Sequence, residues 1–233
     1  IRAPLVNRGN AWGEEVGNMD NLHFIEANAT VSMLGWLQSV RLRSTNDGAG
    51  AGAGAGRVEL VAVQFPDPHF KQRHRKRRTV QPVFVSALAA GLEPGASVFL
   101  QSDVHEVAVD MRDKFEQMGG RYFDLDPQLH SSGQTWWADE QVAGGRRTVA
   151  TSNGSNGQQQ QQPRDQHHPG ASTASGGAGS DASTDAMAAG WAAGGWLLEN
   201  PLHVPTEREV QTLSNGGSVY RCMLVRNSTP YIN

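Results

Sequence analysis

Three polar side chains stand just after apolar segments of the sequence, at places where strands would end. Asn28 follows NLHFIEA, Asp67 follows VELVAVQFP, and Asp103 follows SVFLQS. In open α/β sheets ligands bind beyond the carboxyl ends of the strands, so these three residues are candidates for one site. A carboxylate held at such an edge can accept hydrogen bonds and can stabilise positive charge that develops during a reaction.

A run of basic residues follows Asp67. From Lys71 to Arg78, in KQRHRKRR, six residues are basic, no acid interrupts them, and His74 would add a charge when protonated. The whole chain has 20 Lys and Arg, 23 Asp and Glu, and a pI near 6.2, which by itself predicts no polyanionic partner. The run predicts local contacts with phosphates, and a nuclear-import signal or a solvated basic face is the alternative.

The elements that would position these residues alternate between strand and helix. Residues 22–25 read as a short buried strand, and helical spacing of apolar residues follows from 33 to 40. Residues 58–65 read as a strand covered on both faces. We expect Thr79 to cap a helix that runs to Ala90.

A second strand and helix follow in the same way. Residues 97–103 read as a strand, and a helical stripe from 104 to 118 ends at Gly119 and Gly120. The alternation predicts a doubly wound α/β sheet.

Two low-complexity segments interrupt this pattern. Residues 44–56 hold a glycine-alanine repeat, and residues from about 139 to 190 hold glutamine, serine, glycine and alanine tracts. Such tracts bury too little apolar surface to offset the entropy of ordering, so we expect surface insertions in one domain over residues 1–233. We expect His167 and His168 to be solvated loop residues rather than metal ligands, because no Cys or other paired His stands at a ligand spacing.

The single cysteine and the lack of a long apolar run limit the remaining classes. Cys222 has no partner for an intramolecular disulfide, and within SVYRCMLVRN, which reads as a last strand, we expect a small core residue rather than a nucleophile. No run of 18 apolar residues occurs, so no membrane span is predicted. The opening IRAPLV lacks the pattern of a signal or transit peptide, so we expect Ile1 to be an internal position of a longer protein, in the cytoplasm, nucleus or plastid.

The string VQFPDPHFKQRHRKRRTVQPVFV, residues 63–85, resembles the signature of the TrmB family of tRNA guanine-N7 methyltransferases. Further segments resemble that family in the right order: IRAPLV, NLHFIEANAT, LQSDVHEVAVDM and GWLLENPLHVPTEREV. The resemblance covers nearly all of the chain outside the two low-complexity segments. The wording QSDV and ENP is most like that of plant and algal members.

The resemblance implies a fold and an activity. Members of the family have a doubly wound, Rossmann-like sheet and transfer a methyl group from S-adenosylmethionine to N7 of a guanine in the tRNA variable loop. No metal is implied, tRNA is the expected partner, and some eukaryotic members also use a β-propeller subunit. This sequence starts after the family's first strand, glycine-rich turn and ribose-binding acid. A non-catalytic RNA-binding protein derived from this fold is the alternative.

The resemblance also implies roles for individual residues. Asp67 is the expected catalytic residue. The expected cofactor-binding residues are Arg2, Asn28, Ala29, Gln64, Asp67, Thr206, Glu207 and Glu209. The expected substrate-binding residues are Lys71, Asp103, Arg73, Arg75, Lys76, Arg77 and Arg78.

The chemistry of guanine N7 suits a carboxylate such as Asp67. N7 already has a free lone pair, so the reaction needs orientation and a fixed negative charge near the purine rather than a strong base. The alternative is a turn aspartate between two prolines. For TERE the alternative is a simple helix cap, beginning at Thr206. Four tryptophans are candidates either for stacking on bases or for core and loop packing; they are Trp136, Trp137, Trp191 and Trp196.

Overall fold

A computed structural model describes residues 3–17, 19, 22–46, 57–131, 133–138, 147–149 and 190–232. Most of the two predicted insertions, with His167 and His168, therefore lies outside the described residues, as does Arg2. The helices are α1 (Ala3–Gly17), α2 (Ala29–Asn46), α3 (Pro82–Gly91), α4 (His105–Gly119) and α5 (Glu207–Ser214). The strands are β1 (Leu60–Gln64), β2 (Ser97–Ser102), β3 (Phe123–Leu125), β4 (Thr135–Ala138), β5 (Arg147–Val149), β6 (Trp196–Leu197) and β7 (Tyr220–Arg226).

The main sheet is mixed rather than wholly parallel. Its strand order is β1-β2-β7-β3, with β1 and β2 parallel and β7 antiparallel to both of its neighbours. In the parallel pair Gln64 lies opposite Gln101. A second sheet, in the order β5-β4-β6, is antiparallel. The predicted alternation of strand and helix is confirmed from β1 to α4, whereas the returning β7 is a departure from the parallel pattern.

Alternate residues of β2 and β7 pack on opposite faces of the sheet, as the two-residue period of a strand requires. On one face Val98 and Cys222 join the main core, which α3 and α4 cover with Phe84 and other apolar residues. On the other face Phe99 packs with Leu197. Burial raises the pKa of the Cys222 thiol to about 12, so its expected place in the core is confirmed.

The expected strand over residues 22–25 is wrong for the described chain. This segment is extended but pairs with no described strand, and Ile25 is exposed. The side chain of Asn10 takes the place of a neighbouring strand at Phe24, because its amide donates to the Phe24 carbonyl at 3.0 Å and its oxygen accepts from the Phe24 N–H at 2.7 Å. Apolar content alone therefore predicted an extended segment but not a ladder.

β1 and α3 also differ from their expected forms. β1 has one described neighbour, β2, and Leu60 is 41% exposed, so β1 is not covered on both faces. The helix after the basic run starts at Pro82 rather than beside Thr79, and Gln81 is its N-cap residue. Proline is favoured in the first helical turn because its fixed φ suits the helix and its missing N–H would have had no partner there.

The tryptophans are divided by burial. Trp136 and Trp196 are buried and pack on Tyr220, with ring centroids 5.2 and 5.6 Å from its ring. Trp191 is partly buried against the same core. Core packing is therefore the role of these three, and the side chain of Trp137 lies outside the described residues.

His130 joins β7 to the loop before β6. Its Nε2 accepts from the Met223 N–H at 3.2 Å, and its Nδ1 lies 3.3 Å from the Gly194 carbonyl oxygen. Only a neutral ring can accept at Nε2 while donating from Nδ1. Burial lowers the pKa of His130, against the opposing effects of the Gly194 carbonyl and Asp126.

We expect His130 to make stability depend on pH. Because its pKa is lowered on folding, the unfolded chain binds the proton more readily, so its contribution is complete above about pH 6.5 and is lost as pH falls below that value. His130→Gln keeps an acceptor for Met223 but does not titrate. Thermal melts between pH 5 and 8 should show a shallower acid decline for the variant, and identical declines would contradict the assignment.

Candidate active site

The loop after β1 carries Asp67 in a strained backbone. Phe65 and His69 have φ of 47° and 43°, a region that residues with a side chain rarely adopt. Such conformations persist where surrounding contacts impose them, and they are concentrated at functional sites. The Asp67 carboxylate accepts from the His69 N–H through Oδ1 at 3.0 Å. Its side chain is 71% exposed, and no described residue hydrogen-bonds Oδ2.

Arg78 fastens this loop to α4. Its side chain is 3% exposed, and its Nε donates to the Pro68 carbonyl at 2.9 Å. Its two terminal nitrogens lie 2.8 Å from Glu106 and 3.3 Å from Asp110. Burial alone would lower the pKa of Arg78, but the hydrogen bonds and charges of the two acids outweigh burial and raise it. The loop is therefore held at its base while Asp67 stays open.

The basic run divides into an inward and an outward part. Arg78 points inward, and Arg75 pairs with Glu106 at 2.6 Å while remaining partly exposed. The other four cations face solvent and have no ion pair among the described residues; they are Lys71, Arg73, Lys76 and Arg77. Arg78 is thus unsuited to its expected role on phosphate, because two acids of α4 and a carbonyl occupy its guanidinium.

Asn28 and Ala29 lie at a cleft that also reaches the basic run. The cleft has a volume of about 750 Å³ and is lined by residues 26–30 together with Arg77 and Thr79. Asn28 caps α2, because its Oδ1 accepts from the Thr30 N–H at 3.1 Å. That cap does not involve the Asn28 NH₂ group, which is therefore available as a donor at the cleft.

Gln64 and Asp103 lie at the carboxyl ends of the paired strands. Gln64 is the last residue of β1, and its Oε1 is buried with no hydrogen-bond partner among the described residues. Asp103 follows β2 directly and is 15% exposed. Its Oδ2 accepts from Arg208 of α5, at 2.8 Å from Nε and 2.6 Å from Nη2.

The start of α5 is anchored in the interior. Thr206 accepts from the Glu209 N–H at 3.2 Å, as the capping pattern predicts. Glu209 is buried and binds Arg221 at 2.6 Å and Asn200 at 2.8 Å. Burial alone would raise the pKa of Glu209, but hydrogen bonds from Gln101, Arg221 and Asn200 lower it.

Glu207 and Glu209 thus occupy different environments. Glu207 is exposed in the first turn of α5, whereas the Glu209 carboxylate holds the helix against β7. Sequence reasoning missed the partner Arg221 and the two acids that hold Arg78. A signal was present for the acids, since Glu106 and Asp110 stand four residues apart on a predicted helix and therefore share a face.

The described residues contain no group of three or more His, Cys, Asp or Glu side chains that could hold a metal ion. Among the helices that the structure describes, none has the length and apolar character to cross a membrane.

Known proteins match the segments that build this site. Residues 54–141 match a methyltransferase family model described as "Putative methyltransferase". The tRNA (guanine-N(7)-)-methyltransferase of Synechocystis sp. is 30% identical over 226 residues, which cover 97% of this chain and 68% of that protein. Proteins of the same name from Synechococcus sp. and Microcystis aeruginosa are 49% identical over 115 residues and 38% identical over 142 residues.

A mixed sheet with an open carboxylate at its carboxyl edge, together with the matched family model, defines a methyltransferase domain. The chain belongs to the tRNA (guanine-N(7)-)-methyltransferase family. It covers 49% of its own length and 42% of the relative's in the Synechococcus comparison, and 61% and 57% in the Microcystis comparison.

We expect Arg78 and its neighbour Arg77 to differ sharply in stability measurements. Arg78→Ala leaves a carbonyl and two carboxylates without their buried donor, which should cost roughly 1.5–3 kcal/mol of unfolding free energy. Arg77→Ala, at an exposed position with the same charge, should change it by less than about 0.5 kcal/mol. Urea denaturation of both variants makes the comparison, and equal effects would show that Arg78 is not a clamp.

Proposed function

We propose that the protein transfers a methyl group from S-adenosylmethionine to N7 of a guanine in the variable loop of tRNA, giving 7-methylguanosine and S-adenosylhomocysteine. The observation that carries this proposal is the open carboxylate of Asp67 on the same clamped loop that leads into four outward-facing cations. Family membership supports the proposal, since the relatives bear the name of this activity. A domain that binds tRNA without methylating it is the rival reading.

Asp67 is the proposed catalytic residue. When bound, S-adenosylmethionine supplies an electrophilic methyl group on a positively charged sulfur. Because guanine N7 has a free lone pair, Asp67 need not remove a proton. Its open Oδ2 accepts a hydrogen bond from the purine, and its fixed charge stabilises the positive charge that the ring gains. The clamp of Arg78 keeps this charge in place, so little reorganisation is needed during the reaction.

The nucleoside part of the methyl donor is assigned to the cleft beside α2. The NH₂ group of Asn28 suits an acceptor on the adenine edge, and Ala29 leaves room for a flat ring. The unpartnered Oε1 of Gln64 suits a polar group of a ligand at the end of β1. Thr206, Glu207 and Glu209 complete the site through the position of α5, and Arg2 keeps its assignment from the family resemblance.

The tRNA backbone is assigned to the outward-facing cations. Phosphate contacts supply most of the affinity of such interfaces and do not depend on base sequence. The four exposed cations of the run form one proposed phosphate-binding surface, with Arg75 at its margin because Glu106 offsets its charge. A β-propeller subunit, used by some eukaryotic members of the family, stays a prediction.

The sheet is proposed to continue beyond β1 in the doubly wound, Rossmann-like arrangement of one domain, with residues 44–56 and about 139–190 as insertions. The free edge of β1 and the exposure of Leu60 support further strands there, including the family's first strand and its glycine-rich turn. Apolar side chains of α1 and α2 are exposed as well, among them Trp12 and Trp36. Residues 22–25 would form a ladder once such a neighbour is present.

We expect Asp67→Ala to lower methyl transfer much more than tRNA binding. The carboxylate acts on charge that appears only in the transition state, so the single-turnover rate at saturating tRNA should fall about 100- to 1,000-fold. The dissociation constant for tRNA, measured by filter binding, should change little. An unchanged rate at saturation would remove Asp67 from the mechanism, and tight tRNA binding by a wild-type protein that forms no 7-methylguanosine would favour the rival reading.

We expect Lys76→Ala with Arg77→Ala to weaken binding to many RNAs alike and to flatten the salt dependence. Each lost phosphate contact should reduce the slope of log affinity against log salt by about 0.7–0.9. Turnover at saturating tRNA should persist. Arg121→Ala removes an exposed cation at the opposite end of α4 and serves as the matched control. A slope equal to that of the wild type would return the run to a solvated face.

A further inference from the structure

Arg208 places a cation at the edge of the sheet that carries both acids. β1 and β2 are parallel, and Gln64 lies opposite Gln101, so Asp67 and Asp103 follow their strands at the same edge. The Arg208 guanidinium reaches Asp103 at this edge from α5. Its side chain is 58% exposed although it is ion-paired, so a large part of the guanidinium still faces solvent.

The backbone beneath Arg208 is held firmly. The next residue, Glu209, is buried and bonded to Arg221 and Asn200, and Thr206 caps the helix two residues earlier. Binding groups supported by packed, hydrogen-bonded neighbours lose less entropy when they engage a ligand. The position of Arg208 therefore has the rigidity of a recognition residue.

The ion pair leaves an acceptor and a donor side by side. Both contacts from Arg208, through Nε and Nη2, go to Oδ2 of Asp103. Within the described part of the chain, neither Oδ1 of Asp103 nor Nη1 of Arg208 has another hydrogen-bond partner. The pair can therefore accept one hydrogen bond and donate another in neighbouring positions.

We propose that Arg208 and Asp103 together bind the Watson–Crick edge of the target guanine, with Arg208 donating to O6 and Asp103 accepting from N1–H. This inference rests on the proposed function. Guanine offers an acceptor next to a donor on that edge, which complements the pair, and adenine offers the reverse order. N7 takes no part in these contacts and stays free for methylation. The N2 amino group is then left for Asp67.

The competing explanation is that the ion pair only fastens α5 to the end of β2. The two explanations differ in what a change of base should do. A specificity contact couples Arg208 to the O6 atom of the substrate, whereas a structural contact lowers activity on all bases by one factor. The coupling between a protein variant and a base variant therefore decides between them.

The test compares single-turnover kcat/KM of the full-length protein on tRNA with guanine, 2-aminopurine or inosine at the target position. 2-Aminopurine lacks O6 and the N1 proton, and inosine lacks only the N2 amino group. Wild-type protein should lose about 10- to 100-fold on 2-aminopurine. Arg208→Ala should lose a similar factor on guanine but little more on 2-aminopurine, and its inosine penalty should equal that of the wild type.

Three controls complete the design. Arg208→Lys keeps a single donor and should recover part of the guanine rate, and melting temperatures show that both variants are folded. Arg121→Ala, at the opposite edge of the sheet, should match the wild type on every base. Equal factors on guanine and 2-aminopurine for Arg208→Ala would overturn the recognition role while leaving the proposed function intact. A wild-type protein that methylates no tRNA guanine would overturn both.

Discussion

The parallel pairing of β1 with β2 is the constraint on which the arrangement of polar groups depends. Parallel strands end at the same edge of a sheet, and the register that sets Gln64 opposite Gln101 brings the loops carrying Asp67 and Asp103 to that edge. β7 then pairs with β2 from the other side and carries Arg221, to which α5 is anchored through Glu209. One strand pair thus gathers groups from three distant parts of the sequence.

Acids on α4 decide which cations of the basic run can meet a ligand. Burying Arg78 is tolerable only because Glu106, Asp110 and the Pro68 carbonyl together satisfy its guanidinium. The same contacts hold a loop whose Phe65 is in an unfavourable backbone conformation. Charge of one sign therefore serves two purposes here, with one residue stabilising the loop and its neighbours remaining open to solvent.

Local patterns predicted most of the chain between β1 and α4. The extent of β2 and the end of α4 at Gly119 follow from apolar periodicity and from glycine, which act over a few residues. The misassigned parts depend on distant partners. Residues 22–25 need a neighbouring strand, and the burial of Arg78 requires acids that only folding brings near. In the same way TERE predicted a helix cap but gave no sign that Arg208 would reach Asp103.

The most direct test is a crystal structure of the full-length protein with S-adenosylhomocysteine and a tRNA containing the target guanine. The account predicts the purine at the carboxyl edge of β1 and β2, with hydrogen bonds from its Watson–Crick edge to Asp67 and Asp103 and with N7 free and facing the sulfur. It also predicts tRNA phosphates beside Lys76 and Arg77 but not beside Arg78. A guanine bound elsewhere, or a purine whose N7 is hydrogen-bonded to the protein, would contradict it.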